Sequence, residues 1–277
     1  MKSLNGAEIA GYMKENQAHQ VRVLNSQKIQ PKLVIIRDSN NPVIVKYVNL
    51  KQQYGEDIGV VVEDWFREDV AEAIAEANAD NSVHGIIVQL PLKDTSQTDG
   101  IVSKITPKKD VDGLAAISHD TNNDSKVYSS GDIFESATAT AINWLLAGYD
   151  IKLQGAKIAL VGRGRLVGAP LERMWQNSDY NVNVFRSHSD LSELRDFDII
   201  VSATGVPHLI KAEMVKSGAV VVDAGTASED GVLVGDVDET VRARTDLTAI
   251  TPKVGGVGPL TVTALFEHVL MAASRSK

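Results

Sequence analysis

Short runs of consecutive apolar residues recur along the chain and alternate with segments of helical spacing. The runs that have the length of β-strands are LVIIR (33–37), GVVVEDW (59–65), GIIVQL (85–90), KIALVG (157–162), VNVFR (182–186), DIIVSAT (198–204) and AVVVDAG (219–225). Several are continuous rather than alternating, which is typical of strands buried on both faces. Between them, segments such as 67–80 and 166–178 carry apolar residues at the spacing of a helix. The pattern predicts an α/β protein with mostly parallel sheets.

The length of 277 residues favours two domains, because one hydrophobic core rarely serves a chain of this size. The segment AINWLLAGYD predicts a helix that leads into Gly155 and a new strand, which gives a boundary near residue 140. A glycine cluster marks a second boundary, and Pro259 after it suits the first position of a final helix. We therefore predict a first domain over residues 1–140, a second over 141–258, and a C-terminal helix over 259–277 that returns to the first domain.

The charge balance narrows the classes of partner. The chain has 28 Lys and Arg against 36 Asp and Glu, a formal net charge of -8. This balance favours solubility and argues against a broad surface for nucleic acid or anionic membrane. We expect neither of these partners, and an anionic ligand must therefore meet a local basic patch.

Cysteine is absent, which excludes disulfides, thiolate metal sites and a cysteine nucleophile. The six histidines show no ligand spacing such as H-x-x-x-H, so we expect no metal. The start of the chain lacks the apolar run of a signal peptide, and we expect no stretch of about 18 apolar residues anywhere in the chain. These observations predict a cytoplasmic protein.

The segment KIALVGRGRLVGAP (157–170) runs from a predicted strand into a predicted helix through Gly162, Gly164 and Gly168. Glycines at such a turn let backbone N–H groups approach a pyrophosphate at the helix N-terminus, where the helix dipole favours negative charge. The spacing G-x-G-x-x-x-G is one residue longer than the usual dinucleotide fingerprint. A glycine-rich turn that binds no ligand therefore stays open as an alternative.

The end of the following strand bears on the choice of nucleotide. NAD-preferring sites place a carboxylate about 20 residues beyond the glycines to bind the ribose 2′-hydroxyl, whereas this chain has Phe185-Arg-Ser-His-Ser189. Arg163, Arg165 and Arg186 could together meet a 2′-phosphate, because guanidinium groups match phosphate geometry. Any of these arginines could instead be a solvated surface charge. We predict a preference for NADP over NAD.

A second group of candidate residues lies in the first half of the chain. Asn41-Pro42 is typical of a helix start, with Asn as the cap and Pro at the first position. Tyr47 and Lys51 then share one helical face. A partly buried lysine changes its pKa readily, so a lysine beside a phenol suits proton transfer. The alternative is an amphipathic surface helix.

Two further segments carry polar groups of chemical interest. Gln89 ends a predicted buried strand, at the sheet edge where α/β proteins present ligands. Asp110 and Asp112 lie in the turn 108–113, where Asp-Gly is ordinary turn chemistry. Neither signal is specific by itself.

Taken together, these motifs resemble those of the bifunctional methylenetetrahydrofolate dehydrogenase/cyclohydrolase family. The residues that carry the resemblance are Tyr47-Val-Asn-Leu-Lys51, Gly85-Ile-Ile-Val-Gln-Leu-Pro-Leu92, Lys109-Asp-Val-Asp-Gly113, Gly162-Arg-Gly-Arg-Leu-Val-Gly-Ala-Pro170, Gly235-Asp-Val-Asp238 and Thr251-Pro-Lys-Val-Gly-Gly-Val-Gly-Pro259. The blocks follow the family's order over most of the chain, which makes the set far more specific than any one of them.

The resemblance implies a folate-binding first domain, a Rossmann-type second domain that binds NADP, a cleft between them, and a homodimer. It implies that the enzyme oxidises 5,10-methylenetetrahydrofolate to 5,10-methenyltetrahydrofolate with NADP and hydrolyses the product to 10-formyltetrahydrofolate. The implied biological setting is one-carbon metabolism and purine biosynthesis.

The resemblance also implies roles for individual residues. Lys51 is central to the hydrolytic step, and Tyr47 lies against the substrate and the lysine. Gln89 assists the lysine, and Asp112 binds the pterin ring. The implied substrate-binding residues are Tyr47, Val88, Leu90, Pro91, Asp112, Gly256, Pro259 and Thr263. The implied cofactor-binding residues are Gly162, Arg163, Gly164, Arg165, Gly168, Arg186, Ser187, Thr204, Gly205 and Thr226.

The sequence departs from the family's pattern at four places. Ile44 stands where the family usually has a serine, and Gly164 replaces the serine that follows the nucleotide-site arginine. Ser136-Ala-Thr-Ala139 replaces Pro-Cys-Thr-Pro, and Lys253-Val254 replaces Val-Pro. Because these positions lie near the implied substrate or cofactor, they bear on affinity, cofactor choice and the balance of the two activities.

Two other functions fit parts of the pattern. A shikimate-type NADP dehydrogenase also uses a lysine and an aspartate in its first domain, although the Gln-Leu-Pro-Leu and Gly-Gly-Val-Gly-Pro blocks favour folate. A catalytically silent homologue could bind folate or nucleotide as a sensor.

Overall fold

The structure, a computed structural model, describes residues 1–115, 133–229 and 232–276. Its contacts divide the chain into two compact units, which we name after their sheets. The six-stranded unit comprises Met1–Ala10 and Thr138–Thr261, and the three-stranded unit comprises Gly11–Ala137 and Val262–Lys277.

Strands and helices alternate through most of the described chain. The strands are β1 (Lys2–Ser3), β2 (Lys32–Arg37), β3 (Val61–Phe66), β4 (Gly85–Val88), β5 (Lys157–Val161), β6 (Asn181–Phe185), β7 (Ile199–Ser202), β8 (Val220–Asp223), β9 (Ala227–Glu229), β10 (Val232–Val234) and β11 (Ala249–Ile250). The α-helices are α1 (Gly6–Ser26), α2 (Pro42–Ile58), α3 (Val70–Ala79), α4 (Thr98–Val102), α5 (Ala137–Gly148), α6 (Gly168–Asn177), α7 (Glu239–Arg242) and α8 (Val257–Ser274). Short 3-10 helices cover Thr95–Gln97, Pro107–Lys109, Leu191–Asp196 and Ala212–Met214.

The three-stranded unit has a parallel sheet in the order β3-β2-β4. Strand β2 lies in the middle, and its residues Leu33–Ile36 are fully buried. Ile36 shares a core with Ile74 of α3 and Ile86 of β4. The continuous apolar run of β2 therefore reflects burial on both faces of the central strand.

The six-stranded unit has a parallel sheet in the order β1-β11-β8-β7-β5-β6. Chain order reverses between β5 and β7, and the carboxyl ends of the strands at such a switch point are where open α/β sheets bind ligands. Strands β9 and β10 form a separate antiparallel pair. The predicted two-part α/β fold with mostly parallel sheets is confirmed.

The first ten residues belong to the six-stranded unit, although residues 1–140 were predicted as one domain. Strand β1 pairs with β11, and the amide of Leu4 donates to the carbonyl of Ile250 at 2.8 Å. A strand of two residues is too short for its sequence pattern to predict the strand it pairs with. Only the pairing with a strand near the other end of the chain reveals where it lies.

The C-terminal helix returns to the three-stranded unit, as predicted. The ring of Phe266 stacks on Tyr54 of α2 with centroids 4.9 Å apart, and Nδ1 of His268 lies 2.8 Å from the carbonyl oxygen of Val111. Helix α8 starts at Val257, two residues earlier than expected. Pro259 thus lies in the first turn, where its missing N–H costs no helical hydrogen bond.

Helix α8 also bears on the expectation that the chain has no long apolar stretch. Among the described helices, it is long and apolar enough to cross a membrane by length and composition, with a mean hydropathy of 1.3 over its 18 residues. We did not predict this from the sequence. Within the protein, 56% of this segment is buried, so its apolar residues serve as core.

Candidate active site

Helix α2 carries the predicted pair Tyr47 and Lys51, and its ends are set by local sequence. The Oδ1 atom of Asn41 accepts a hydrogen bond from the amide of Val43, and Pro42 occupies the first helical position. Gly59 ends the helix in the left-handed conformation, with φ of 87°. The four-residue spacing then places Tyr47 and Lys51 on one face, and both side chains are partly buried.

Strand β4 brings Gln89 to the same place. The backbone N–H of Gln89 donates to the carbonyl of Ile36 at 2.8 Å, which continues the pairing of β4 with β2 by one residue. The ammonium of Lys51 donates to Oε1 of Gln89 at 2.8 Å. The amide side chain therefore fixes the position of the lysine nitrogen without neutralising its charge.

Burial and charge act in opposite directions on Lys51. Desolvation lowers the pKa of its ammonium, and the carboxylate of Asp112 partly offsets this by raising the same pKa. Burial also raises the pKa of Asp112, which the Lys51 charge opposes. Burial raises the pKa of the Tyr47 phenol, which keeps it protonated. The group thus combines a lysine that can release its proton, a carboxyl group and a phenol that donates hydrogen bonds.

The turn that carries Asp112 is held by its neighbours. Nζ of the buried Lys109 donates to the carbonyls of Ala77, Asn78 and Asp80 at the end of α3. Oδ2 of Asp110 accepts from the amide of Ala115 at 2.7 Å.

Burial raises the pKa of Asp110 to about 7, and the adjacent charge of Asp112 adds to this effect. From the sequence, Asp110 was only one of two carboxylates in a turn, and Lys109 had no predicted role. The only available signal was the alternation of two aspartates within one short turn.

The glycine turn after β5 is close-packed at two of its three glycines. Gly162 has a φ of 95°, and a Cβ atom there would lie 2.6 Å from the carbonyl oxygen of Ala203. A Cβ atom on Gly168 would lie 2.2 Å from the carbonyl oxygen of Gly162. At Gly164 the nearest such contact is 4.0 Å. Gly162 and Gly168 are therefore required by the backbone path, and Gly164 is not.

This turn borders a pocket of 620 Å³ at the carboxyl ends of β5, β6 and β7. The residues that line it are Val161, Gly162, Arg163, Gly164, Phe185, Arg186, Ser187, Ser189, Leu191, Ala203, Thr204, Val206 and Leu209. None of these lining residues is acidic. The position and size of the pocket suit a small-molecule ligand, and its only charged lining groups are guanidinium groups.

The three predicted arginines differ in their surroundings. Arg163 lines the pocket and also pairs through Nε with Glu172 of α6. Arg186 lines the pocket and is exposed, with its backbone amide bonded to the hydroxyl of Ser189. Arg165 does not line it, and burial lowers the pKa of its guanidinium. Only two of the three arginines face the pocket.

The remaining predicted site residues lie in several different environments. Thr263 is fully buried and its hydroxyl accepts from the phenol of Tyr54 at 3.2 Å. Gly256 packs against Gly6, where a Cβ atom would lie 1.9 Å from the Gly256 carbonyl oxygen. Val88 is buried at the end of β4, and just after it come the partly buried Leu90 and the exposed Pro91. Pro259 is partly buried in α8, and Ser187 is exposed in the pocket wall. Gly205 follows β7 with a φ of 70°, and Thr226 is exposed before β9.

Comparison with known proteins identifies the family of this chain. Residues 4–112 match the model of the tetrahydrofolate dehydrogenase/cyclohydrolase catalytic domain, and residues 136–277 match that of the NAD(P)-binding domain of the same family. The chain belongs to the tetrahydrofolate dehydrogenase/cyclohydrolase family. Membership in this family decides against the shikimate-type alternative.

Relatives match over nearly the whole length of the chain. The bifunctional protein FolD of Macrococcus caseolyticus is 36% identical over 286 residues, covering 100% of this chain and 99% of the relative. The crystal structure of the bifunctional FolD dehydrogenase/cyclohydrolase of Campylobacter jejuni is similar with a TM-score of 0.90 and 34% identity, covering 99% of both chains. The Trypanosoma brucei methylenetetrahydrofolate dehydrogenase-cyclohydrolase, solved with NADP and an inhibitor, has a TM-score of 0.85 and 30% identity, covering 99% of this chain and 97% of that one.

The departures from the usual family pattern fall into two kinds. Ile44 and Ser136 are buried, as are Ala137 and Ala139, so these departures lie in the interior. Lys253 is exposed and pairs with Glu239 at 2.8 Å, and its neighbour Val254 is 85% exposed. The four residues of the candidate active site are all retained in this chain: Tyr47, Lys51, Gln89 and Asp112.

Proposed function

We propose that this protein oxidises 5,10-methylenetetrahydrofolate to 5,10-methenyltetrahydrofolate with NADP and hydrolyses the product to 10-formyltetrahydrofolate. The observation that carries the proposal is the hydrogen bond between Lys51 and Gln89, with the carboxylate of Asp112 acting on the same ammonium. This arrangement occurs in a chain that belongs to the tetrahydrofolate dehydrogenase/cyclohydrolase family.

The pocket of the six-stranded unit fits a dinucleotide with a 2′-phosphate. The tight path at Gly162 and Gly168 leaves backbone amides free of side-chain bulk at the start of α6, where the helix dipole favours a pyrophosphate. Arg163, Arg186 and Ser187 supply donors for the 2′-phosphate. None of the lining residues is acidic, so the pocket has no carboxylate of the kind that binds the ribose 2′-hydroxyl of NAD. Bound NADP would supply the hydride acceptor for oxidation of the methylene carbon of the substrate.

We further propose Gly164, Arg165, Thr204, Gly205 and Thr226 as members of the nucleotide site. Gly164 and Thr204 belong to the pocket wall, whereas the other three act through the backbone path or from the margin of the pocket. We expect NAD to bind more weakly than NADP, because the pocket has no carboxylate to bind the ribose 2′-hydroxyl of NAD.

The hydrolytic step uses the Lys51 group. Loss of hydride leaves a cationic methenyl carbon, and water attacks that carbon to form a C–O bond. Lys51, with its pKa lowered by burial, accepts the proton that the water releases. The bond from this carbon to nitrogen N5 then breaks with its electron pair on nitrogen. The hydroxyl proton leaves to solvent as the formyl C=O bond forms, and Lys51 returns its proton to N5. Gln89 holds the lysine nitrogen in place throughout.

The remaining residues bind and orient the folate. We assign Asp112 to the pterin ring, because a carboxyl group pairs well with the N–H groups of a pterin. Tyr47 lies on the Lys51 face of α2 and provides a phenol donor beside the reacting carbon. The other residues that we assign to the folate site are Val88, Leu90, Pro91, Gly256, Pro259 and Thr263.

We also propose that the enzyme works in the cytoplasm as a homodimer, binds neither nucleic acid nor membrane, and feeds one-carbon metabolism and purine biosynthesis. The net charge of -8 supports the absence of anionic macromolecular partners. Light scattering coupled to size-exclusion chromatography checks the dimer, and a mass equal to one chain of 29.8 kDa would contradict it.

The decisive experiment mixes purified protein with methylenetetrahydrofolate and NADP, with a parallel reaction in NAD. We expect absorbance from the methenyl product to grow faster with NADP, and added methenyltetrahydrofolate to disappear without any nucleotide. A catalytically silent homologue would give neither signal, even if it bound both ligands.

A further inference from the structure

One family motif, Gly235–Asp238, has no role in the function proposed above. Asp236 within it is fully buried, on the segment between β10 and α7. Its Oδ2 atom accepts hydrogen bonds from the hydroxyl of Ser202 at 2.7 Å, from the amide of Thr204 at 2.7 Å and from the hydroxyl of Thr204 at 2.9 Å. One carboxylate oxygen therefore holds the end of β7 and the loop that follows it.

That loop forms a wall of the nucleotide pocket. Ala203, Thr204 and Val206 all line the pocket, whereas Asp236 does not. The Thr204 hydroxyl accepts from the amide of Val206 at 3.1 Å, so it can donate its own proton to Asp236. The direction of both hydrogen bonds is thus fixed, and the carboxylate sets the rotamer of Thr204 and the backbone around Gly205.

Asp236 is itself placed by the polypeptide around it. Its amide donates to Oδ1 of Asp223 at 3.0 Å, and Asp223 pairs with Arg242 at 2.6 Å. A Cβ atom on Gly225 would lie 1.9 Å from Oδ1 of Asp236, so only glycine leaves room for the carboxylate there.

The remaining oxygen of Asp236, Oδ1, is buried and has no hydrogen-bond partner among the described residues. A buried carboxylate with one unsatisfied oxygen costs stability. Packing alone would be served better by an apolar residue of similar size. The cost is explained if the two hydrogen bonds from Thr204 hold the loop for ligand binding.

We propose that Asp236 is a positioning residue of the nucleotide site, which holds the Thr204–Val206 loop in the geometry that binds the dinucleotide. The inference rests on the proposed function, because it takes the pocket bordered by this loop to be the NADP site. Asp236 acts through Thr204 and does not touch the ligand.

The test measures NADP affinity by calorimetry for the wild type, Asp236→Asn and Glu239→Gln. Asp236→Asn keeps the shape of the side chain and removes its charge. Glu239→Gln removes a charge three residues further on, at the start of α7, where the exposed Glu239 pairs with Lys253 outside the pocket. We expect the Kd for NADP to rise about tenfold or more in Asp236→Asn, the scale of a lost charge-assisted hydrogen bond, and to stay unchanged in Glu239→Gln.

Hydrolysis of methenyltetrahydrofolate provides a second readout, because it needs no nucleotide. A positioning role predicts that this rate stays within about twofold of wild type in Asp236→Asn while NADP affinity falls. An equal fall in hydrolysis, or an unchanged Kd for NADP, would overturn the inference. If wild type binds NADP but neither oxidises nor hydrolyses folate, the proposed function fails and the comparison of Kd values still decides the role of Asp236.

Thr204→Val keeps the inference testable if Asp236→Asn does not fold. Valine has the shape of threonine and lacks only the hydroxyl that donates to Asp236. We expect weaker NADP binding in this variant as well. In the double variant, the two losses should be less than additive, because the Asp236 charge acts on NADP binding through the Thr204 hydroxyl that the other substitution removes. Unchanged affinity in Thr204→Val, or full additivity, counts against the proposal.

Discussion

Nζ of Lys51 on α2 lies 2.8 Å from Oε1 of Gln89 at the end of β4, although the two residues are 38 positions apart. The amide accepts from the lysine whether the lysine is charged or neutral, because both forms carry N–H donors. The hydrogen bond therefore fixes the lysine nitrogen in both protonation states. A general base that must give up and regain a proton needs this property.

The first prediction concerns the lysine itself. Lys51→Ala should lower the rate of methenyltetrahydrofolate hydrolysis by at least about 100-fold, the scale of general acid–base catalysis. The Kd for NADP should stay unchanged, because Lys51 does not line the nucleotide pocket. Lys46→Ala is the matched control, since Lys46 is exposed on the same helix. Hydrolysis at the wild-type rate in Lys51→Ala would remove Lys51 from the mechanism.

The second prediction concerns pH. Hydrolysis should speed up as pH rises through the pKa of Lys51, since the neutral amine is the base. The Asp112 carboxylate raises that pKa, so Asp112→Asn should move the midpoint of the pH profile to lower pH at saturating folate. Asp57→Asn, which loses an exposed carboxylate on α2, should leave the midpoint in place. A midpoint that moves upward or does not move in Asp112→Asn contradicts the electrostatic coupling.

The third prediction compares two glycines of one turn. Gly162→Ala should destabilise the protein by about 2 kcal/mol or more and weaken NADP binding, because alanine at φ of 95° is strained and its Cβ meets Ala203. Gly164→Ala should change the free energy of unfolding far less, since its Cβ would have no contact closer than 4.0 Å. Thermal unfolding and NADP titration measure both effects. Equal losses in the two variants would show that the turn geometry is misassigned.

The fourth prediction concerns cofactor choice. Arg186→Ala should lower kcat/KM for NADP by about tenfold or more and leave that for NAD nearly unchanged, because only NADP has the 2′-phosphate. Arg195→Ala, which removes an exposed arginine outside the pocket, should leave both values unchanged. Steady-state kinetics with both nucleotides provide the measurement. Comparable efficiency with NAD in the wild type, unaltered in Arg186→Ala, would refute the proposed preference.

The fifth prediction concerns stability. Burial raises the pKa of Asp110 from 3.8 to about 7, so the folded protein holds a proton that the unfolded chain releases between these values. The stabilisation is complete below about pH 4 and is lost as pH rises through 7. Asp110→Asn resembles the protonated carboxyl group and cannot ionise. Its stability relative to wild type should therefore improve between pH 5 and pH 8.

Urea unfolding at the two pH values measures this difference. The amide oxygen of the Asp110→Asn side chain can still accept from Ala115, which preserves the turn. A stability difference between variant and wild type that is the same at pH 5 and pH 8 would show that Asp110 is ionised in the folded protein.

Local signals along the chain predicted many of the elements. The run 33–37 became the buried strand β2, and Asn41-Pro42 began α2 with the expected side-chain cap. These signals succeed because caps, proline positions and apolar runs act through dihedral preferences and burial within a few residues. The same local logic placed Tyr47 and Lys51 on one helical face.

Other features of the candidate site escaped sequence reasoning. Lys109 and Asp110 brace the Asp112 turn, and Asp236 braces Thr204, yet all three residues look like ordinary polar turn residues in the sequence. The roles of Lys109 and Asp236 depend on partners 32 positions away, and that of Asp110 depends on its burial. A single sequence contains no pattern from which such hydrogen-bond partners can be predicted.

By itself, the sequence determined the alternation of strands and helices, the glycine turn and the set of chemical groups available for catalysis. Only the tertiary structure decided which of these groups meet: Lys51 with Gln89, Arg163 with Glu172, and Asp236 with Thr204. The reason is that local dihedral and burial preferences are written within a few residues, whereas hydrogen bonds and pKa values depend on which distant atoms the fold brings within about 3 Å.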